Sequence, residues 1–91
     1  MTNRLLADAL NTIALFERAE VEIAEMQRTL VAIGGALDST YGSLIREFRQ
    51  AEADLEEIRF GMLCDEQRPA AILRVDKLKE LILAEMAENL D

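Results

Sequence analysis

Apolar side chains recur through the middle of this 91-residue chain at spacings that alternate between four and three residues. Because an α-helix turns once every 3.6 residues, this spacing places them on one helix face, as in coiled coils and helical bundles. The residues on this face, called the seam here, are Leu37, Tyr41, Leu44, Phe48, Ala51, Leu55, Ile58 and Met62. A second stripe precedes the seam and consists of Leu5, Ala9, Thr12, Phe16, Ala19, Ile23, Met26, Leu30 and Ile33. The two stripes predict two long amphipathic helices.

Gly34 and Gly35 separate the two stripes and predict the end of the first helix. Glycine readily adopts the left-handed conformation that closes a helix, and it is costly in a helix interior. Pro69 suits the first position of a third helix, because proline lacks a backbone N–H. We therefore expect an all-α fold, with an antiparallel helical hairpin and a shorter third helix in one domain over residues 1–91. The predicted helices span about residues 3–33, 38–65 and 69–88.

One feature of the sequence supports an alternative fold. From Ile33 to Leu37 and on to Tyr41 the spacing is four and four, so the apolar face keeps its helical phase through the glycines. A continuous helix of about 60 residues would have this pattern. We prefer the hairpin, because a lone extended helix would leave its apolar stripe exposed unless other chains covered it.

The third predicted helix has an unusually broad apolar face. Its main stripe consists of Ile72, Val75, Leu78, Ile82 and Met86, and Leu73, Leu81 and Leu83 widen it. A face this broad indicates contacts on two sides, with the hairpin on one and a second chain or partner on the other. Three helices of a 91-residue chain cannot readily cover this much apolar surface. We therefore expect a homo-oligomer, with a dimer as the expected state.

Composition and charge narrow the class of protein. Hydrophobic residues make up 51% of the chain but aromatic residues only 4%, which suits helix-on-helix packing, and one Pro with four Gly argues against a β fold. Eighteen acidic residues outnumber ten basic ones, giving a net charge of −8. Direct binding to nucleic acid or to an anionic membrane needs a basic patch, and none is present. We expect a soluble, cytoplasmic protein, or one exported without a cleaved signal peptide.

Residues that commonly carry catalysis are scarce. The chain has no histidine, and its only cysteine, Cys64, cannot form a disulfide within the chain. Cys64 is followed by two acidic residues rather than the cationic groups that activate a thiol. No phosphate-binding loop or nucleophile motif is present. We expect a protein that is not an enzyme and has no catalytic residues, cofactor or bound metal.

Paired carboxylates on both long helices support an enzymatic alternative. The pairs are Glu17 with Glu20, Glu22 with Glu25, Glu52 with Asp54, and Asp54 with Glu57. This arrangement resembles the all-α MazG-type nucleotide pyrophosphohydrolases, and the resemblance implies Mg²⁺ held by carboxylates from two helices. The heptad positions, however, place these side chains beside the seam or away from it. Our preferred interpretation is a solvated acidic face, and the Mg²⁺-dependent hydrolase is kept as an alternative.

The pattern as a whole favours an acidic, non-enzymatic helical module for protein–protein interaction. Such a protein acts as a chaperone, an adaptor or an inhibitor of a partner protein, and self-associates through its apolar seams. The residues predicted to form the interface are Leu30, Ile33, Leu37, Tyr41, Leu44, Phe48, Leu55, Ile58 and Met62. A further alternative is a mimic of nucleic acid, of the kind phage inhibitors use, in which carboxylates replace phosphates against a DNA- or RNA-binding protein.

Overall fold

Among the residues that the structure describes, four α-helices make up the fold, and each packs against its neighbours along the chain. The computed structural model describes residues 2–88, and the side chains of residues 4–88. The helices α1 to α4 span Thr2–Glu17, Ile23–Ala36, Gly42–Gly61 and Cys64–Glu88. A 3₁₀ turn, Ser39–Tyr41, lies between α2 and α3. Because α4 also packs against α1, the four helices close into a ring.

The helices run antiparallel to one another around this ring. Gly34 near the end of α2 lies against Phe48 in the first half of α3, and Asp54 in the second half of α3 pairs with Arg74 in the first half of α4. The molecule measures 43 × 23 × 18 Å. Since a helix with its side chains is about 10–12 Å across, the two shorter dimensions correspond to two helices each way. The predicted all-α fold is confirmed, in the form of a four-helix bundle rather than a three-helix one.

Each helical segment contributes four buried apolar residues at the spacing of one helix face. These residues are Leu6, Ala9, Ile13 and Phe16; Met26, Leu30, Ile33 and Leu37; Leu44, Phe48, Ala51 and Leu55; and Ala71, Val75, Leu78 and Ile82. Together they form one core, and each large side chain stabilises it by about 1.5–3 kcal/mol through burial. The first predicted stripe needs correction, because Leu5 is only half-buried and Ala19 is exposed.

The predicted first helix over residues 3–33 is wrong, because the chain reverses between α1 and α2. Ala19 adopts a left-handed conformation with φ of 62°. The Glu20 N–H donates to the Leu15 carbonyl and the Ala19 N–H donates to the Phe16 carbonyl, which is the Schellman pattern of helix termination. An unbroken helix would be about 46 Å long. It would extend well beyond the 20-residue α3, so the break lets both halves pack in the bundle.

Gly34 and Gly35 do not form the predicted bend. Both lie inside α2, which continues to Ala36, and neither has a positive φ. Gly34 is buried where α2 and α3 approach closely, and a Cβ atom placed there would lie 3.1 Å from the Phe48 Cβ. The absence of a side chain is therefore what the packing requires at Gly34. The chain turns after Leu37 instead, where the Asp38 carboxylate accepts a hydrogen bond of 3.0 Å from the Thr40 N–H.

The last helix begins earlier than predicted. α4 starts at Cys64 rather than at Pro69, so Pro69 lies in its second turn. Gln67, expected in a corner outside any helix, is helical and donates to the carbonyls of Arg59 and Met62 at 3.1 and 3.0 Å. Those carbonyls belong to the end of α3, where helical partners are missing. The Gln67 side chain thus supplies hydrogen bonds that the end of α3 needs, and the turn between the helices is short.

The remaining boundaries also differ from prediction. The second predicted helix, 38–65, is shortened at both ends to Gly42–Gly61. The alternative of one continuous helix is wrong, because α2 and α3 pack against each other as antiparallel neighbours. Within the described part of the chain, no helix is both long enough and apolar enough to cross a lipid bilayer.

Candidate interaction surface

The nine residues predicted to form an interface differ in exposure. Six of them are buried in the core of the chain itself: Leu30, Ile33, Leu37, Leu44, Phe48 and Leu55. Tyr41 and Ile58 are partly buried against that core, and Met62 is 38% exposed. A side chain covered by its own chain offers no surface to a partner while the bundle is closed. Of the nine residues, a partner can therefore reach Met62 and the exposed parts of Tyr41 and Ile58.

Several large apolar side chains are exposed to solvent. In the described part of the chain they are Val31, Phe60, Met62, Leu63, Leu73, Leu81 and Leu83. Phe60 and Leu63, at 75% and 69% exposure, flank Met62 at the turn between α3 and α4. Leu81 and Leu83 lie about 80° to either side of Leu73 around α4 and about 12–15 Å further along it, all on the solvent-facing half of the helix, which is called the outer α4 face here. Exposed apolar groups of this kind mark interaction sites when they are clustered.

The helical stripe in the sequence does not include Phe60 or Leu63. A stripe at 3.6-residue period identifies the side chains that a bundle buries, so residues off the stripe are passed over. The sequence does place three large apolar residues within four positions, since Phe60 and Leu63 lie on either side of the seam residue Met62. This local density is the feature that could have identified them. By contrast, the three leucines of the outer α4 face were singled out in the sequence because they widen the third stripe.

The turns between α1 and α2 and between α3 and α4 lie at the same end of the bundle. We call this the turn end and define it as residues 17–25 and 56–68. Arg68 holds its two sides together, since its Nη2 donates to the Glu17 carbonyl at 2.8 Å. The same guanidinium lies 5.0 Å from the centroid of the Phe16 ring, a cation–π contact. The start of α4 is thereby fixed against the end of α1.

A second polar contact ties α3 to α2 at this end. Arg59 Nη1 donates to Gln27 Oε1 at 2.8 Å, and Gln27 Nε2 donates to the Glu52 carbonyl at 3.4 Å. Gln27 is only 6% exposed, so these bonds satisfy a polar group that would be costly to bury alone. The Arg59 guanidinium also lies 5.0 Å from the centroid of the exposed Phe60 ring. Phe60 is therefore presented on a region of α3 that is fixed to the bundle.

A cleft opens at the turn end between the α1–α2 turn and the start of α4. Its lining consists of Phe16, Ala19, Val21, Glu22, Ile23, Cys64, Gln67 and Arg68. Most of these side chains are apolar, and Cys64 is exposed as a free thiol at its edge. Apolar side chains are therefore found at both turns of the turn end. The cleft lies beside the α1–α2 turn, and the exposed residues 60–63 lie at the α3–α4 turn.

Acidic charge is concentrated at the same end. Residues 17–25 and 56–68 carry eight carboxylates and three arginines, which accounts for −5 of the net charge of −8. All three guanidiniums are engaged within the chain, since Arg18 Nε pairs with Glu20 at 2.7 Å and Arg59 and Arg68 make the contacts above. Most of the carboxylates are exposed to solvent; these are Glu20, Glu22, Glu25, Glu56, Glu57, Asp65 and Glu66. The turn end is therefore an apolar surface with an anionic surround.

The carboxylate pairs that resemble a Mg²⁺ site are not assembled into one. Among the described residues, no group of three or more Asp, Glu, His or Cys side chains is placed to hold a metal ion. Glu17 lies at the end of α1, where its carboxylate is 3.4 Å from Lys79 Nζ. Glu20 and Glu22 lie in the turn before α2, and Asp54 faces α4 from α3. The ligand set that the resemblance implies is thus dispersed over the bundle.

Asp54 has a structural partner instead. Its carboxylate pairs with Arg74 of α4 and accepts a hydrogen bond of 3.0 Å from Gln50 Nε2. Burial by itself raises the pKa of the Asp54 carboxyl, but hydrogen bonds from Arg74 and Gln50 outweigh it, and the net pKa is lowered. Asp54 is therefore a deprotonated group that connects α3 to α4.

Comparisons with protein-family models, with curated proteins and with solved structures find no match to this chain.

Proposed function

We propose that the protein is a non-enzymatic, acidic helical module that binds a partner protein and also self-associates. The observation that carries this proposal is the exposure of large apolar side chains outside a complete core. In the part of the chain that the structure describes, sixteen buried apolar residues, four from each helical segment, already form the interior of the bundle. The exposed side chains at residues 60–63 and on the outer α4 face do not complete that interior. Their exposure costs hydration free energy and is explained by association with another surface.

The two exposed groups differ in charge, which suits them to different partners. The turn end is strongly anionic, so two copies meeting there would bring like charges together. On α4, residues 73–83 carry three basic and two acidic side chains, a nearly balanced set. We therefore assign partner binding to the turn end and self-association to the outer α4 face.

Photo-crosslinking from Cys64 tests the proposed function. Cys64 is the only cysteine of the chain and is exposed at the turn end, so a photo-activatable maleimide attaches there selectively. We expect the labelled protein, irradiated in an extract of its own source, to form a discrete heterologous adduct identifiable by mass spectrometry. The purified partner should then bind the unlabelled protein in calorimetry.

A matched control places the label at the other end of the bundle. In the double variant Cys64→Ser/Ser43→Cys the thiol moves to the exposed start of α3. If neither label yields a partner that binds the purified protein, the proposed function is wrong. If the label forms the same adducts from both positions, the proposal that the protein binds a partner still stands. The turn end would then not be the binding site.

A further inference from the structure

We infer that the turn end binds an apolar segment flanked by basic residues, such as an amphipathic cationic helix of a partner protein. This inference rests on the proposed function and adds the chemistry of the ligand. It combines two independent properties of this end, the apolar side chains that face solvent and the sign of the charge around them.

The apolar part of the surface lies on backbone that is tied to the bundle. Phe60 and Leu63, exposed by 75% and 69%, lie beside a turn whose carbonyls are bonded by Gln67. Arg59 contacts the Phe60 ring and is itself bonded to the buried Gln27. Because this part of the backbone is already tied to the bundle, binding does not have to order the turn, which favours affinity. Aromatic and leucine anchors at a fixed end are suited to contact with the apolar face of a helix.

The charged part of the surface selects the partner. Seven solvent-exposed carboxylates lie at the turn end, and its three arginines are engaged by groups of the chain itself. A bound segment with Lys or Arg beside its apolar residues would gain attraction from these carboxylates. An acidic segment would be repelled by them. A second copy of this chain presents the same anionic end, so it is a poorer occupant than a basic segment.

Two synthetic amphipathic peptides test the inference. Each has about 18 residues, or five helical turns, with leucines at the same helical spacing; one carries lysine and the other glutamate at the polar positions. By fluorescence anisotropy at low salt we expect the lysine peptide to bind at least about tenfold more tightly than the glutamate peptide. Raising the salt concentration should weaken binding of the lysine peptide, because the carboxylates are exposed to the solvent.

Two pairs of variants locate the site. Phe60→Ser/Leu63→Ser should weaken binding of the lysine peptide by at least about tenfold, whereas Leu73→Ser/Leu83→Ser on the outer α4 face should leave it unchanged. For the charge, Glu56→Gln/Glu57→Gln at the turn end should weaken binding more than Glu80→Gln/Glu88→Gln, which makes the same change in net charge on α4. All eight substituted side chains are exposed, so circular dichroism should show an intact fold.

Three results would overturn the inference. One is equal affinity of the protein for the lysine and glutamate peptides. Another is an affinity for the lysine peptide that Phe60→Ser/Leu63→Ser does not change. The third is an equal effect of the two pairs of glutamine substitutions, which would indicate attraction to net charge alone. Each of these results is compatible with a crosslinked partner from the photo-crosslinking experiment. The chemistry of the site can therefore fail while the proposed function stands.

Discussion

At the scale of single residues, Ala19 shows how the chain can reverse without glycine or proline. Its φ of 62° lies in the left-handed region, which costs an L-residue with a Cβ about 1–2 kcal/mol relative to the right-handed one. Ala19→Gly removes that cost, partly offset by the greater freedom of glycine in the unfolded chain. We expect a net gain of about 0.5–1 kcal/mol in the free energy of unfolding, measured by urea denaturation.

The same substitution elsewhere provides the control. Ala53 is exposed in the middle of α3, where Ala53→Gly should cost about 1 kcal/mol. If Ala19→Gly destabilised the protein as Ala53→Gly does, the left-handed turn between α1 and α2 would be contradicted.

The two adjacent glycines of α2 should respond oppositely to alanine. At Gly35 an added Cβ meets no atom within 4 Å, so Gly35→Ala should stabilise the helix by about 0.5–1 kcal/mol. At Gly34 the added Cβ would lie 3.1 Å from the Phe48 Cβ, so Phe48 on α3 would have to shift by a few tenths of an ångström. Overpacking of this kind costs about 1–3 kcal/mol, whereas the helix gains only about 0.5–1 kcal/mol from alanine, so Gly34→Ala should destabilise the bundle by up to about 2 kcal/mol. Thermal melts of the two variants give the comparison, and equal stabilisation by both would show that α2 and α3 are not in close contact.

Asp54 should make stability depend on pH in the acidic range. Its carboxyl pKa is lowered in the folded protein, so the Arg74 and Gln50 contacts contribute fully above the unfolded pKa of about 3.9. That contribution is lost as the pH falls through the lower folded value. Asp54→Asn should therefore destabilise the protein at pH 7 and have a smaller effect at about pH 3. Because the Asp54 side chain is still 30% exposed, the difference should remain below about 1 kcal/mol.

Urea denaturation of both proteins at the two pH values measures this difference. Asp76→Asn, at an exposed position of α4, controls for the loss of one negative charge. An Asp54→Asn effect that is the same at both pH values would contradict the ionised contact with Arg74.

At the scale of helices, the sequence predicts which face of a helix is buried better than it predicts where the helix begins and ends. Four of the five seam residues in α3 are buried as a 3.6-residue period requires, because hydrophobic burial depends on a pattern repeated over several turns. The ends depend on single contacts. Gly34 looks like a cap in the sequence, since nothing local distinguishes a glycine needed for its backbone freedom from one needed because a neighbouring helix is close. Ala19 looks like an ordinary helical residue, because alanine normally favours a helix.

A weak signal of the break between α1 and α2 was present in the sequence. The buried residues Phe16 and Met26 are ten positions apart, which places them about 80° apart around a continuous helix. The predicted stripe bridged this interval by including Ala19, a residue small enough to fit either face. Because the chain reverses between α1 and α2, both Phe16 and Met26 lie in the core. The helical period alone does not reveal this reversal.

The start of α4 depended on a contact that lies outside local sequence rules. Pro69 is favoured at a first helical position, yet α4 begins five residues earlier. In the structure, the helical Gln67 donates its side-chain N–H groups to the carbonyls of Arg59 and Met62 at the end of α3. The preference of proline for a first helical position does not take these hydrogen bonds between consecutive helices into account.

At the scale of the whole molecule, the candidate site separates into a part that the sequence predicts and a part that it does not. The breadth of the α4 stripe identified Leu73, Leu81 and Leu83 in advance. The turn end was not predicted, since it forms only when the bundle brings residues 17–25 beside residues 56–68. Concentration of charge at that end likewise depends on the fold, because its two segments are more than 30 residues apart in the chain.

The outer α4 face leads to a prediction about the assembly. Leu73, Leu81 and Leu83 are 76%, 36% and 48% exposed, and the nearly balanced charges of residues 73–83 place little repulsion between two copies. We expect sedimentation equilibrium at about 50 μM to give a mass near twice the 10.2 kDa of one chain. Leu73→Ser/Leu83→Ser should shift the population toward the monomer, because it removes apolar surface that the dimer would bury.

The turn-end variant distinguishes this surface from the proposed partner site. Phe60→Ser/Leu63→Ser removes a comparable pair of exposed apolar side chains from a strongly anionic region, where a second copy would be repelled. It should leave the dimer unchanged in the same experiment. A mass near 10.2 kDa for the unaltered protein would contradict self-association altogether. Dissociation by the turn-end variant rather than the α4 variant would place the contact between copies at the turn end, despite the charge that the two copies share there.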